Sequence, residues 1–183
     1  TSQPLAVSAA MEQFTQGGNA IDAALAAAMA LSVVEPTNNG LGGDRFALVW
    51  DGQQLHGLNA SGWAPKGWSP ERFAGRSRMP YDGWDSVTIP GQVRGWAALH
   101  QRFGSRPWAG LLERAEHWAR EGFIVPPGVA HKWGLHVERL RHQPGFADAF
   151  LPQGRAPQAG ERFRHITLAD TLARIATQGA AEF

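Results

Sequence analysis

The chain has 183 residues, 43% of them hydrophobic and 18% charged, with a formal net charge of +1. That balance is globular and excludes disorder, and arginines scattered among carboxylates exclude the one-sided basic surface of a nucleic-acid binder. There are no cysteines, which excludes disulfides, thiol catalysis and thiolate metal sites. The longest apolar run, Ala23 to Val34, holds twelve residues, well short of the roughly 20 that a membrane span needs. Absence of cysteine leaves cytoplasm and periplasm both open; no signal peptide is visible, and the sequence begins at Thr1 with no initiator Met, which reads as residues missing upstream.

Taken in chain order, Pro4 to Gln16 is predicted to be a helix with an apolar stripe of Leu5, Ala9, Met11 and Phe14, stopped by Gly17-Gly18. Asn19 then reads as an N-cap, with Asp22 completing a capping box. The helix it opens, Ala20 to Val34, contains seven alanines and is predicted to lie deep in the fold, ending before Pro36. A loop through Gly40, Gly42 and Gly43 leads to a strand from Arg45 to Trp50. Asp51-Gly52 marks a two-residue hairpin turn, and Gln54 to Ala60 returns as the second strand. Residues 62–83 read as an irregular excursion with one short helix at Pro70 to Phe73, and Ser86 to Ile89 as a short strand or extended lead-in. After Pro90-Gly91 a helix runs to about Phe103 with Val93, Trp96, Ala97, His100 and Phe103 on one face.

Pro107 opens the cleanest amphipathic helix, where Trp108, Leu111, Leu112, Ala115, Trp118 and Ala119 share a face and Gly122 ends the run. Another helix is expected from about Gly128 to His142, with Val129, Trp133, His136, Val137 and Leu140 on its inner face. Thr167 with Asp170 suggests a second capping box, followed by Leu168, Leu172 and Ile175 and a stop at Gly179. The sequence ends four residues later at Phe183, which reads as a truncation.

Chemistry is sparse. The loop at Gly40 to Gly43 offers backbone N–H groups to an anion, but it follows a helix and precedes a strand, the reverse of a dinucleotide fingerprint. It also lacks the Gly-Lys-Ser/Thr ending of a P-loop. A glycine turn that allows close backbone packing is the simpler reading. Among seven histidines, His131 and His136 are five apart and His136 and His142 six apart, spacings that do not set two imidazoles on one helical face as i, i+4 does. No metal site or cofactor is therefore expected. Glu113, Glu116 and Glu121 lie beside Arg114 and Arg120 and read as surface ion pairs. A free N-terminal threonine is a potential nucleophile with its own amine as base. Thr1, however, sits in a polar lead-in to a helix rather than on a rigid strand, a poor place to aim one.

Six segments, in order, are similar to one family. Thr1-Ser2-Gln3-Pro4-Leu5-Ala6 resembles the "ATSHPLA" start of the γ-glutamyltransferase large subunit, and Gly17 to Ala24 its "GGNAVDAA". Val34-Glu35-Pro36 followed by Gly40-Leu41-Gly42-Gly43 resembles "VVEP…GLGG", and Ser86 to Gly91 resembles "SVGVPG". Arg120 to Val125 is similar to "ARDGFIV", and Thr171-Leu172 through Gln178-Gly179 to "TLxxIAxxG".

The resemblance implies an N-terminal-nucleophile hydrolase, an α/β (α+β) fold built as a four-layer αββα sandwich. This chain would supply only its N-terminal helical and hairpin portion, a single partial domain over residues 1–183. It further implies a precursor that cuts itself into large and small subunits. The new N-terminal threonine of the small subunit attacks a γ-glutamyl amide, such as a glutathione-type substrate, and passes the acyl group to water or an amine. On that alignment the chain carries no catalytic residue, Thr1 is not the nucleophile, and its partners are the small subunit and a small acyl amide.

One departure bears on substrate. Where the family has "RE-x-AP", whose arginine grips the α-carboxylate of the donor, the chain reads Ser61-Gly62-Trp63-Ala64-Pro65. Ser61 thus stands in place of the arginine and Gly62 in place of the glutamate, with Arg45 and Arg94 as candidates to substitute. A cephalosporin-acylase-like amidase and a non-catalytic fragment that only packs against a partner chain are the alternative readings.

Overall fold

Asn19 starts the helix that organises the longer stretch of the chain. Its Oδ1 accepts from the N–H groups of Ile21 and Asp22 at 2.8 and 3.1 Å, and the Asp22 carboxylate accepts from the Asn19 N–H at 2.9 Å. This reciprocal capping box satisfies the donors that a helix N-terminus otherwise leaves open. In the computed structural model, which describes residues 1–183, the helix α2 (Ala20–Val34) belongs to a compact unit formed by Thr1–Gly40 and Leu99–Phe183. Leu41–Ala98 forms a second unit.

In the first unit, α1 (Pro4–Thr15) packs on α2 through Ala6, Ala9, Ala26 and Ala30. Met11 and Phe14 point outward, contrary to the expected apolar stripe, while Ala6, Ala9 and Gln13 are buried. The reason is the closeness of the two helices: a seam of alanines leaves no room for large side chains, so helix contact follows size rather than hydrophobicity. The expectation for α2 holds, since Leu25, Met29, Ala30, Val33 and Val34 are all buried.

Of α3 (Gln92–Phe103), residues from Leu99 onward fall in this unit. α4 (Trp108–Glu121) packs against α2 and against α7 (Ile166–Gln178), burying Leu111, Leu112, Ala115 and Ala119 as its periodicity predicts. Arg120 bonds Glu116 one turn back and Asp170 across to α7, whereas Arg114 reaches Glu12 on α1. Gly122 ends α4 with φ 89°, where a Cβ would lie 2.9 Å from the Phe163 carbonyl. That carbonyl belongs to a two-residue antiparallel ladder, reading β3 for Phe123–Ile124 and β4 for Arg162–Phe163 in chain order. Between them lie α5 (Pro127–Leu140) and the one-turn α6 (Phe146–Phe150), with Val129 and Trp133 the buried residues of α5. Trp133 meets Phe163 edge-on at 4.8 Å between ring centroids, and its Nε1–H donates to the Phe150 carbonyl at 3.0 Å.

The expected capping box at Thr167 is not the one used. The N-cap of α7 is His165, whose Nδ1 accepts from the Leu168 N–H at 3.2 Å, and Thr167 lies inside the helix. An imidazole acceptor fills the role that sequence patterning assigns to hydroxyls and carboxamides.

The second unit is a hairpin, an irregular segment and the start of α3. β1 (Arg45–Trp50) pairs antiparallel with β2 (Leu55–Ala60), Arg45 opposite Ala60 and Trp50 opposite Leu55. The connection is the four residues Asp51 to Gln54 rather than the expected two. Asp51 explains the longer loop: one carboxylate oxygen accepts from the N–H groups of Gln53 and Gln54, and the other lies 2.6 Å from His56 Nε2. These contacts hold its carboxyl well below the usual range. A short 3-10 helix forms at Pro70–Phe73 as predicted, and Arg72 ties the excursion to Asp85 at 2.8 Å.

Candidate functional site

The second unit holds a cavity of about 520 Å³ between the end of β2 and the first turns of α3. Its walls come from three places in sequence: Leu58 to Trp63, Ile89 to Gly91, and the helical residues Arg94, Gly95 and Ala98. Three glycines make the meeting possible. A Cβ on Gly62 would stand 1.8 Å from the Ile89 carbonyl oxygen, one on Gly91 2.2 Å from that of Ala60, and one on Gly95 2.8 Å from Ala60 Cβ. Gly62 also needs φ 80°, a conformation that favours glycine.

Hydrogen bonds then fix the segment that carries the family departure. Ser61 N–H donates to Asn59 Oδ1 at 3.0 Å, and Thr88 Oγ1 donates to the Ser61 carbonyl at 3.1 Å. Ile89 N–H donates to the Trp63 carbonyl at 2.9 Å. Ser61 is half-buried, and the Trp63 indole is 85% exposed at the rim. Walls of Leu58, Ala60, Ile89, Pro90 and Ala98 give the cavity an apolar body, with Asn59, Ser61 and Arg94 as its polar side chains.

Of the four candidate residues, Ser61, Gly62 and Arg94 line this one cavity and Arg45 does not. Arg94 is exposed. Arg45, opposite Ala60 on β1, is half-buried; its Cβ and Cγ lie 3.1 and 3.3 Å from where a Gly95 Cβ would stand. Burial pushes its guanidinium pKa down. The residues that sequence reasoning overlooked are Asn59, Ile89 and the helical pair Gly95 and Ala98. Gly95 carried a usable signal, because a glycine inside a helix costs about 1 kcal/mol against alanine and asks for a packing reason.

The glycine loop at 40–43 serves the start of α3. The Gly43 carbonyl accepts from the N–H groups of Gly91 and Gln92 at 3.2 and 3.0 Å, so it presents an acceptor to a helix end, where an anion cradle would present donors. Thr1 Oγ1 lies 3.4 Å from the Gln3 N–H in the lead-in to α1. No helix is long and apolar enough to cross a membrane.

Residues 6–183 match the gamma-glutamyltranspeptidase family. The chain is 38% identical over 171 residues to the glutathione hydrolase-like YwrD proenzyme of Bacillus subtilis, covering 92% of the chain and 33% of that protein. It is 38% identical over 187 residues to the oxamate amidohydrolase proenzyme of Klebsiella pneumoniae, covering 98% and 35%. Among solved structures, the cephalosporin acylase from Bacillus halodurans superposes with a TM-score of 0.93 at 44% identity, covering 100% of this chain and 36% of that one. The chain therefore spans about one third of the length of these relatives.

Proposed function

The chain belongs to the gamma-glutamyltranspeptidase family, and on that premise we propose that it is the N-terminal portion of the large subunit of an amidohydrolase or acyltransferase. It acts as a single partial domain of an αββα sandwich completed by the rest of the precursor. The nucleophile is a threonine at the new N-terminus of the companion small subunit. Its hydroxyl adds to the carbonyl carbon of an acyl amide, the C–N bond breaks, and the amine leaves with a proton. Water or an acceptor amine then takes the acyl group from the ester. This chain contributes no catalytic residue; its part is to hold the acyl donor, a γ-glutamyl or related amide.

The observation that carries this reading is the cavity in which Ser61, Gly62 and Arg94 come together. An arginine at position 61 would grip a carboxylate through two parallel charge-assisted hydrogen bonds, whereas serine offers one neutral hydroxyl. Loss of such a contact in a desolvated pocket costs about 2–5 kcal/mol, roughly 30-fold to several thousand-fold in binding. Arg94 is the cation at the cavity that takes over the carboxylate, in a more exposed setting where an ion pair is weaker. Ser61, together with the 44% identity to a cephalosporin acylase, favours as a second reading an amidase whose donors do not depend on a γ-glutamyl carboxylate.

The test compares three anilides on the complete, processed enzyme: γ-glutamyl, glutaryl (the same carboxylate without the α-amine) and butyryl (neither group). The expected result is a small preference for the two carboxylate donors over butyryl anilide, lowered further by Arg94→Ala. Ser61→Arg raises that preference by roughly 30-fold or more. A strong carboxylate preference that neither substitution alters would remove Ser61 and Arg94 from the donor site.

A further inference from the structure

Arg45 is a cation that the chain partly buries and does not pair. Its Nε is shielded from solvent with no hydrogen-bond partner, and it takes part in none of the ion pairs of the structure. Its stem lies along the helix-facing side of the hairpin, opposite Ala60 and beside Gly95. The adjacent Asp44 is exposed. Removing a guanidinium from water without an opposing charge is costly, and proteins offset that cost by pairing it. Arg106, the other arginine whose Nε is shielded and unbonded, is still held at its Nη2, which donates to Gln16 Oε1 at 2.9 Å; Arg45 has no such bond.

We propose that Arg45 binds a carboxylate supplied from outside these 183 residues, seated where the start of β1 meets Gly95 of α3. Two sources have the same chemistry: an aspartate or glutamate of the remaining polypeptide, or the carboxylate of the acyl donor. The first source stands on the burial of Arg45 alone. The second rests also on the reading of the neighbouring cavity as the donor site. Because Arg45 is absent from the walls of that cavity, the protein carboxylate is the expected source.

The sign of a stability change decides the matter. An unpaired buried cation is a liability, so replacing it with methionine would raise stability. A paired one leaves its carboxylate stranded when it is removed, and stability falls. Arg45→Met and Arg45→Lys are made in the complete, processed protein, and thermal midpoints are measured without ligand. Rates on glutaryl and butyryl anilide are measured alongside. With a protein carboxylate, Arg45→Met lowers the midpoint by at least a few degrees, Arg45→Lys recovers part of the loss, and the glutaryl-to-butyryl ratio stays put. With the donor carboxylate, Arg45 is unpaired without ligand, so the ligand-free midpoint holds or rises while Arg45→Met lowers the ratio by at least about tenfold, again partly recovered by lysine. Folding of the lysine variant alone supports the pairing, because charge is then what the position requires. A methionine variant as stable as the parent or more so, with an unchanged ratio, or equal losses in the two variants, overturns it. Ser61→Arg, assayed on the same donors, reports on the donor site independently of Arg45, so failure of one leaves the other readable.

Discussion

Asp22 concentrates more structure than any other single side chain. It is fully buried and closes the capping box of α2 through the Asn19 N–H. It also accepts from the Ser105 hydroxyl at 2.6 Å and from the backbone N–H groups of Ser105 and Arg106 at 3.0 and 3.2 Å. Burial alone would raise its pKa, but the bonds from Ser105, Asn19 and Arg106 together hold it below the ordinary value. A depressed carboxylate stabilises the fold fully above its unfolded pKa, about 3.9, and that contribution is lost as pH falls through the folded value. Asp22→Asn should therefore cost roughly 1–3 kcal/mol at neutral pH. It should also flatten the decline of stability below about pH 4, read by denaturant titrations across pH. An unchanged acid limb would show that these bonds do not discriminate the charged form. Asn19 and Asp22 were legible as a capping box from their spacing alone. Ser105 and Arg106 were not, because they approach from a turn 83 and 84 residues away.

At the level of elements, local chemistry was readable wherever neighbours in sequence decide the outcome, and misled where a distant element decides it. The alanine content of α2 pointed to close packing, yet the same closeness turned Met11 and Phe14 of α1 outward. Asp51-Gly52 marked the hairpin, while the bonds from Gln53 and Gln54 to Asp51 lengthened its loop. The wall of the cavity followed this rule too: Ser61 and Gly62 stood out by departure from a motif, but Gly95 and Ala98 joined them only through the packing of α3 on the hairpin. Gly95 gives the corresponding prediction. In an unhindered helix interior, Gly→Ala stabilises by about 1 kcal/mol. Here the added methyl would meet Ala60 Cβ at 2.8 Å and Arg45 Cβ at 3.1 Å, and neither is the free end of a flexible chain. Gly95→Ala should destabilise instead, by about 1–3 kcal/mol, measured by chemical denaturation. A gain in stability would mean that α3 and the hairpin are not in close contact.

At the scale of the whole molecule, the family match over residues 6–183 and the one-third coverage of relatives named as proenzymes frame the central claim: this chain shapes the donor site while a companion segment does the covalent chemistry. Thr1 is the one residue of the chain whose position invites the opposite view. The direct measurement is to trap the acyl-enzyme of the complete, processed protein with an activated acyl donor and to weigh the separated chains by intact mass spectrometry. The account predicts an unmodified mass for the chain carrying residues 1–183, an adduct on the N-terminal threonine of the companion chain, and no change on Thr1→Ala. An adduct on the chain carrying residues 1–183 that disappears with Thr1→Ala would contradict it.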